Sequence, residues 1–162
     1  MADVIARRGA LADAEALRAI RLEALRDTPE AYGSTYAEAI TFGDERWREM
    51  AESRPFFLGE CADVVVGMAS GGPHHDRPET HWLFGMYVAP RMRGTGLAVA
   101  LVDEVGDWAR ADGAGELYLH VNPSLVRAVA FYEKVGFAPT GGCHTMGRDP
   151  AIQLLTMVRP LD

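Results

Sequence analysis

Two arginines and two glycines stand between an apolar extended run and a helical pattern in the stretch MYVAPRMRGTGLAVALV (86–102). Glycine lets a ligand approach the backbone without a Cβ atom in the way, and a helix start exposes unpaired N–H groups. Arg91 and Arg93 add cationic donors beside Gly94 and Gly96. The residues allow three explanations: a tight turn without a ligand, a common nucleotide loop, or a cradle for another phosphate.

Two familiar nucleotide loops do not match this stretch. The dinucleotide fingerprint requires a third glycine three residues after the second, and Val99 stands there. The P-loop requires Gly-Lys-Ser or Gly-Lys-Thr at its end, which the stretch lacks. A bare turn and a site for another phosphate both stay open.

Two motifs resemble one known family. Arg93–Ala98 (RGTGLA) resembles the Arg/Gln-x-x-Gly-x-Gly/Ala motif of the GCN5-related N-acetyltransferases (GNAT), and LFGMYVAP (83–90) resembles the strand before it. AVAFYEKVGF (128–137) resembles the Ala-x-x-x-Tyr-x-x-x-Gly-Phe segment of the same family. One helix and one strand separate the two motifs, as in the family, and the pair is more specific than either motif alone.

The resemblance implies that acetyl-CoA binds as a cosubstrate and that the preceding strand splays from its parallel neighbour. Gly85 is then expected at a bulge in that strand, with a packing role as the alternative. The pantetheine arm is expected on the backbone of Met86, Tyr87 and Val88. The pyrophosphate is expected on backbone amides from Arg93, Gly94, Thr95, Gly96, Leu97 and Ala98.

Acetyl transfer to an amine requires a neutral amine, a polarised thioester carbonyl and a stabilised leaving thiolate. By the resemblance, Tyr132 occupies the tyrosine position that protonates the sulfur, and a phenol with a pKa of about 10 keeps its proton at neutral pH. A backbone N–H near Tyr87 or Val88 is expected to polarise the carbonyl. Packing at the core edge is the competing role for Tyr132.

His120, in the strand pattern ELYLHV (116–121), is the predicted general base. It occupies the position where related acetyltransferases often carry a carboxylate, and strand alternation places it opposite the two leucines. A surface or hydrogen-bonded histidine is the competing interpretation. Glu60 and Glu79 are weaker candidates for the base.

Three further positions concern ligand contacts. Tyr32 and Tyr36 lie between the first two predicted helices, a segment that often lines the acceptor site in the family, although plain packing is an alternative. The family often has an asparagine seven residues before the tyrosine, and here Leu125 stands there. Asn122 is out of register and does not replace it.

No metal is expected. The group His74, His75, Asp76 and His81 lacks regular ligand spacing, so a solvated loop over residues 71–79 is favoured. Cys143 and His144 are expected in a second loop, over residues 141–149.

The elements that must position these residues alternate between strand and helix patterns. Helices are predicted from the N-cap Asp13 to Thr28, over 44–51, over 97–111 and, capped by Ser124, over 126–134. Strands are predicted at 4–6, 56–61, 64–70, 81–88, 116–121 and 152–159. The expected fold is α+β: a single GNAT-like domain over residues 1–162, with a mixed, mainly antiparallel sheet, helices on both faces and a splayed parallel strand pair.

Composition narrows the partners. The net charge of −7 argues against a general nucleic-acid binder and is compatible with a cationic substrate, or with a surface adapted for solubility. No apolar run has the length of a membrane span, the start lacks a signal-peptide pattern, and two cysteines suit a reduced, cytoplasmic setting.

The sequence therefore predicts an N-acetyltransferase that transfers acetyl directly to a primary amine, either a small molecule or a protein N-terminus or lysine. Homodimers are frequent in the family. A non-catalytic acyl-CoA-binding or regulatory module is the first alternative. A binder of a different nucleotide or phosphate is the second.

Overall fold

The computed structural model describes residues 3–162, which form one seven-stranded sheet and five α-helices. The strands are β1 (Val4–Arg8), β2 (Phe56–Cys61), β3 (Val64–His74), β4 (Arg77–Val88), β5 (Glu116–Val121), β6 (Ala138–Thr145) and β7 (Gln153–Pro160). The helices are α1 (Ala14–Asp27), α2 (Tyr36–Ala39), α3 (Asp44–Ser53), α4 (Leu97–Ala111) and α5 (Val126–Lys134). None of the helices in this part of the chain is long and apolar enough to span a bilayer.

The sheet has the order β1-β2-β3-β4-β5-β7-β6, with β4 and β5 as its parallel pair and antiparallel pairing elsewhere. Pairing between β4 and β5 is confined to Trp82 and Tyr118. The two strands separate beyond that point, so backbone groups at the end of β4 lack a strand partner on this side. The α+β class and the splayed parallel pair are confirmed.

A bulge sits in β4 beside this splay. Met68 pairs with Tyr87 and Ser70 with Phe84, so β4 carries one more residue than β3 over the same interval. Gly85 lies within the interval at a φ of +59°, a backbone conformation that residues with a side chain rarely adopt. The expected bulge is confirmed.

Helices cover both faces of the sheet. Leu97 and Leu101, one turn apart on α4, are fully buried, and a Cβ atom on Gly59 would lie 2.8 Å from Leu97 Cδ1. This close approach of α4 to β2 places the N-terminus of the helix over the sheet. On β3, Gly71 faces Trp108 of α4, and the next residue faces Arg54, which directly follows α3.

Two predicted loops are wrong. The expected loop over 71–79 is mostly strand, because β3 continues to His74 and β4 begins at Arg77, so only two residues connect them. The expected loop over 141–149 is also partly strand, because Cys143 and His144 pair with β7. In both segments, pairing with a neighbouring strand outweighs the weak strand propensity of glycine.

Two predicted caps do not form. The Asp13 carboxylate accepts hydrogen bonds from Arg7 and from the Ala10 amide, and it makes none to an amide of α1. The Ser124 hydroxyl donates to Asn122 Oδ1 at 2.9 Å, and α5 begins only at Val126. Competing local hydrogen bonds therefore use both side chains.

Candidate active site

The glycine loop, Arg93–Ala98, forms the entry to α4. Gly94 and Gly96 adopt φ values of +78° and +86°, and a Cβ atom on either would meet nothing within 4 Å. Within residues 3–162, the amides of Gly94, Gly96 and Ala98 have no backbone acceptor, and Ala100 donates to the Gly96 carbonyl as the helix starts. The loop thus presents free N–H groups and open space at the positive end of a helix.

Side chains of the glycine loop divide between local structure and solvent. The Thr95 hydroxyl donates to the Met92 carbonyl at 2.6 Å, and it accepts from the Leu97 amide at 3.4 Å. Leu97 is buried in the core, whereas Arg93 is exposed at the loop. A ligand in this loop would therefore meet backbone amides first.

The β4 residues that are predicted to bind the cofactor differ in which of their groups remain available to a ligand. The carbonyl of Met86 accepts a hydrogen bond from the Tyr32 hydroxyl at 2.8 Å. The Tyr87 side chain turns away toward α1, where its hydroxyl donates to Glu23 and Asp27 at 3.0 and 3.1 Å. Burial and these two carboxylates raise the pKa of Tyr87. Tyr87 can contribute to a ligand at the splay only through its backbone.

A cleft of about 1050 Å³ opens between the splayed strands and the helices on that face. It brings together Tyr32, Met86, His120 and Tyr132, which lie in different parts of the sequence. Tyr36 is not among its lining residues. That tyrosine lines a separate pocket of about 770 Å³, together with Tyr87 and Arg91.

Tyr132 lies on α5, with its ring 5.7 Å from that of Phe137. Burial raises the pKa of its phenol, and the neighbouring Tyr32 raises it further. Within the described chain, no protein group accepts a hydrogen bond from the Tyr132 hydroxyl. The phenol is therefore protonated at neutral pH and has a proton to donate within the cleft.

His120 lines the cleft, and strand alternation separates it from the buried Leu117, Leu119 and Val121, of which the last two also contribute to the cleft wall. Its Nδ1 lies 3.2 Å from the Thr156 hydroxyl, and its Nε2 is buried without a hydrogen-bond partner in residues 3–162. Burial lowers the pKa of His120 to about 4, with further contributions from His144 and His74. The ring is therefore neutral near pH 7 and binds a proton only weakly.

The alternative bases lie elsewhere. Glu60 accepts a hydrogen bond from Arg7 on the neighbouring strand β1, at 2.5 Å. Glu79 is exposed on β4. Neither carboxylate lines the cleft.

The structure gathers a histidine cluster that the sequence does not reveal. His74, His120 and His144 come from β3, β5 and β6, and each offers a ring nitrogen within 4.8 Å of the others. Two ligands of a tetrahedral zinc ion lie only about 3.4 Å apart at Zn–N lengths of about 2.1 Å. The ring nitrogens lie within 4.8 Å of one another, a range that includes this spacing, so the cluster is compatible with a bound transition metal. Residue spacing gives no signal for it, since only strand pairing brings the rings together.

Leu125, which occupies the position of the family's asparagine, lines the cleft. The buried Asn122 is used structurally: its Nδ2 donates to the Glu30 carbonyl at 3.2 Å, and its Oδ1 accepts from the Ser124 amide at 3.0 Å. Asn122 therefore holds the turn after β5 against the segment after α1.

Sequence relatives include N-acetyltransferases and a mycothiol acetyltransferase. N-acetyltransferase 8 of Homo sapiens is 35% identical over 89 residues, which cover 53% of this chain and 39% of that protein. The mycothiol acetyltransferase of Thermobispora bispora is 32% identical over 129 residues, covering 77% of this chain and 43% of that protein. The chain thus spans about two fifths of the length of these curated relatives.

Solved structures share the fold. The Salmonella typhimurium protein yncA, whose structure contains acetyl-CoA, superposes with a TM-score of 0.78 at 22% identity, covering 99% of this chain and 95% of that one. A ribosomal-protein-alanine N-acetyltransferase from Brucella melitensis gives a TM-score of 0.75 at 25% identity, covering 97% and 99%.

The acetyltransferase (GNAT) family model matches residues 17–137. That range includes the glycine loop, the splayed strands and the segment around Tyr132. Because the match extends over well more than half of the sequence, this chain belongs to the GNAT acetyltransferase family.

Proposed function

We propose that this chain is an acetyl-CoA-dependent N-acetyltransferase that moves the acetyl group directly to a primary amine. The observation that carries the proposal is that the splayed strands, the bulge and Tyr132 meet at one site. The parallel pair β4–β5 separates beside the bulge, and the resulting cleft contains a protonated tyrosine. A glycine loop with open space over its amides stands at the end of the same strand.

Backbone groups bind the cosubstrate in this proposal. The free amides of Gly94, Gly96 and Ala98 hold the pyrophosphate, aided by the partial positive charge of the α4 N-terminus and by Arg93. The backbone of Met86–Val88 orients the pantetheine arm along the splay. Bound acetyl-CoA supplies an activated acetyl group on a thioester.

Tyr132 is the general acid. Its raised pKa keeps the phenol protonated at neutral pH, so the hydroxyl donates a hydrogen bond to the sulfur as the C–S bond breaks. The thiolate takes up that proton, and the phenolate regains one from solvent. With no protein acceptor engaging it in the described residues, the hydroxyl is free to turn toward the sulfur.

His120 takes up the proton that the amine loses. When its Nδ1 donates to the Thr156 hydroxyl, Nε2 carries the lone pair that receives a proton, directly or through water. A ring with a pKa of about 4 releases that proton readily, so His120 passes the proton on toward solvent.

Direct transfer fits the side chains of the cleft. A covalent acetyl-enzyme would require a nucleophile such as a cysteine thiol beside the thioester. Cys61 and Cys143 are the cysteines of the chain, and neither lines the cleft.

A panel of amines, assayed by release of free CoA thiol, tests this function. We expect turnover with at least one amine, and Tyr132→Phe should lower kcat while acetyl-CoA still binds. Tight acetyl-CoA binding without any acetylation would favour the non-catalytic module. If acetyl-CoA fails to raise the melting temperature and another phosphorylated ligand raises it, the chain binds a different phosphate compound.

A further inference from the structure

One cationic side chain in the cleft has no counter-charge. The guanidinium of Arg21, on α1, lies over the Tyr32 ring at 5.1 Å, and its Nη1 would lie 3.2 Å from a Cβ atom on Gly85. Within residues 3–162, Arg21 makes no salt bridge and no hydrogen bond to a protein acceptor. Burial lowers its pKa, and the nearby charge of Arg54 lowers it further.

A second arginine shares this situation. Arg54 follows α3 and lies 4.7 Å above the Phe84 ring, next to Gly72 on β3. It lines the same cleft as Arg21 and, in the described residues, also has no carboxylate partner. Two like charges repel each other at a partly buried site. An anion bound between them would offset this repulsion and stabilise both arginine side chains.

Some other arginines have partners within the described residues, whereas exposed ones such as Arg48 and Arg127 form no salt bridge there. Arg7 forms salt bridges to Asp13 and Glu60, and Arg46 lies 3.7 Å from Glu49. Arg148 donates to the carbonyls of Pro29 and Tyr32. Of the three arginines that line the cleft, Arg46 is paired, and Arg21 and Arg54 have no carboxylate partner in the described residues.

We propose that the acceptor is a small amine that also carries a carboxylate, as an amino acid does, and that Arg21 binds this carboxylate with Arg54 beside it. The proposal rests on the proposed acetyl transfer. A planar guanidinium fork matches a carboxylate with two parallel hydrogen bonds, and the Tyr32 and Phe84 rings shield the pair from water.

The position of Arg21 suits this task. Its Nη1 approaches Gly85, and the next residue, Met86, accepts the Tyr32 hydrogen bond at the splay. A carboxylate on Arg21 would hold an acceptor amine close to the proposed thioester site. The phosphates of acetyl-CoA are assigned to the glycine loop, whose residues do not line the cleft.

Matched acceptors test the carboxylate directly. Leucine, leucinamide and 3-methylbutylamine share a side chain and differ at the carboxylate, and a methionine series repeats the comparison. We expect kcat/KM to be at least about tenfold higher for the amino acid, the size of one charge-assisted interaction. The comparison with the amide is conservative, because its amine is less basic and more of it is neutral. The decarboxylated amine is more basic than the amino acid, so its rate is compared per neutral amine.

Arg21→Gln should reduce this preference to about onefold, and Arg21→Lys should retain part of it. Neither variant should change the KM for acetyl-CoA. Arg48→Gln is the matched control, since Arg48 is exposed and lines neither pocket. Because Arg21 has no carboxylate partner in the described residues, Arg21→Gln should lower the melting temperature by no more than the loss of its contact with the Tyr32 ring.

Equal or faster reaction of the amides and decarboxylated amines would overturn the carboxylate site and leave N-acetyl transfer intact. A preference that persists in Arg21→Gln would overturn the role of Arg21. If none of these amines reacts, titration of N-acetylleucine in the presence of CoA decides: binding that Arg21→Gln abolishes supports the site, and absent or unchanged binding overturns it. Failure of acetyl-CoA to bind would instead refute the proposed function.

Discussion

The glycine loop is proposed to bind acetyl-CoA, and the histidine cluster of His74, His120 and His144 lies in the cleft where the acceptor is proposed to bind. The two regions are built differently. The loop offers the free backbone amides of Gly94, Gly96 and Ala98 at one helix start. The histidine cluster offers side chains that come from the three strands β3, β5 and β6. Contiguous residues build the first region, whereas the second depends on residues that are far apart in the sequence.

The largest expected effect is at the thioester, within the cleft. Tyr132→Phe removes the proposed proton donor, and kcat should fall by about 10²- to 10⁴-fold, with little change in acetyl-CoA affinity. The control is Tyr118→Phe, since that hydroxyl contacts Glu116 outside the cleft. Steady-state kinetics at saturating acetyl-CoA measures the effect, and an unchanged kcat in Tyr132→Phe would remove Tyr132 from the mechanism.

The second-largest expected effect is a loss of acetyl-CoA affinity at the glycine loop. Gly96→Ala forces a side chain into a φ of +86° and places a Cβ atom in the proposed pyrophosphate site, so acetyl-CoA affinity should drop by about tenfold. Gly113→Ala is a matched control at the other end of α4, where φ is +88° and a Cβ atom also meets open space. Calorimetric titration should separate the two, because both variants carry the same backbone strain. Equal affinity losses would mean that strain alone explains the effect.

A smaller effect is expected at His120. His120→Ala should lower kcat by about tenfold or less at pH 7, because a base with a pKa of about 4 contributes modestly to proton transfer. The rate should recover partly at high pH, where the amine deprotonates unaided. His81→Ala serves as the control, since His81 contacts Asp112 outside the cleft. A pH–rate profile identical to that of wild type would exclude His120 from the reaction.

The smallest effect concerns stability. The pKa of His120 is about 4 in the folded chain and about 6.5 when unfolded, so the unfolded state gains its proton first as pH falls. The contribution of this neutral ring to stability is fully present above about pH 6.5, and it is lost as pH falls toward 4. Urea midpoints at pH 7 and pH 5 should differ less in His120→Gln than in wild type. The exposed His75→Gln should keep the wild-type difference.

The two regions also differ in how far the sequence predicts them. The glycine loop, the bulge at Gly85 and the splay were foreseeable, because each depends on consecutive residues or on family motifs. The alternation of β5 likewise placed His120 on the opposite face from Leu119. The sequence did not predict the strands at His74 and His144, since their polar, glycine-rich segments become strands only by pairing with neighbours.

By itself, the sequence determined the order of most elements, the family and the loop at the start of α4, since all three are encoded in contiguous residues and their spacing. The tertiary structure decided which side chains share the cleft. It left Tyr36 outside, lowered the pKa of His120 by burial, and brought Arg21 beside Gly85 without a counter-charge. Burial and charge balance depend on residues far apart in the chain, and only the packed sheet and helices bring those residues together.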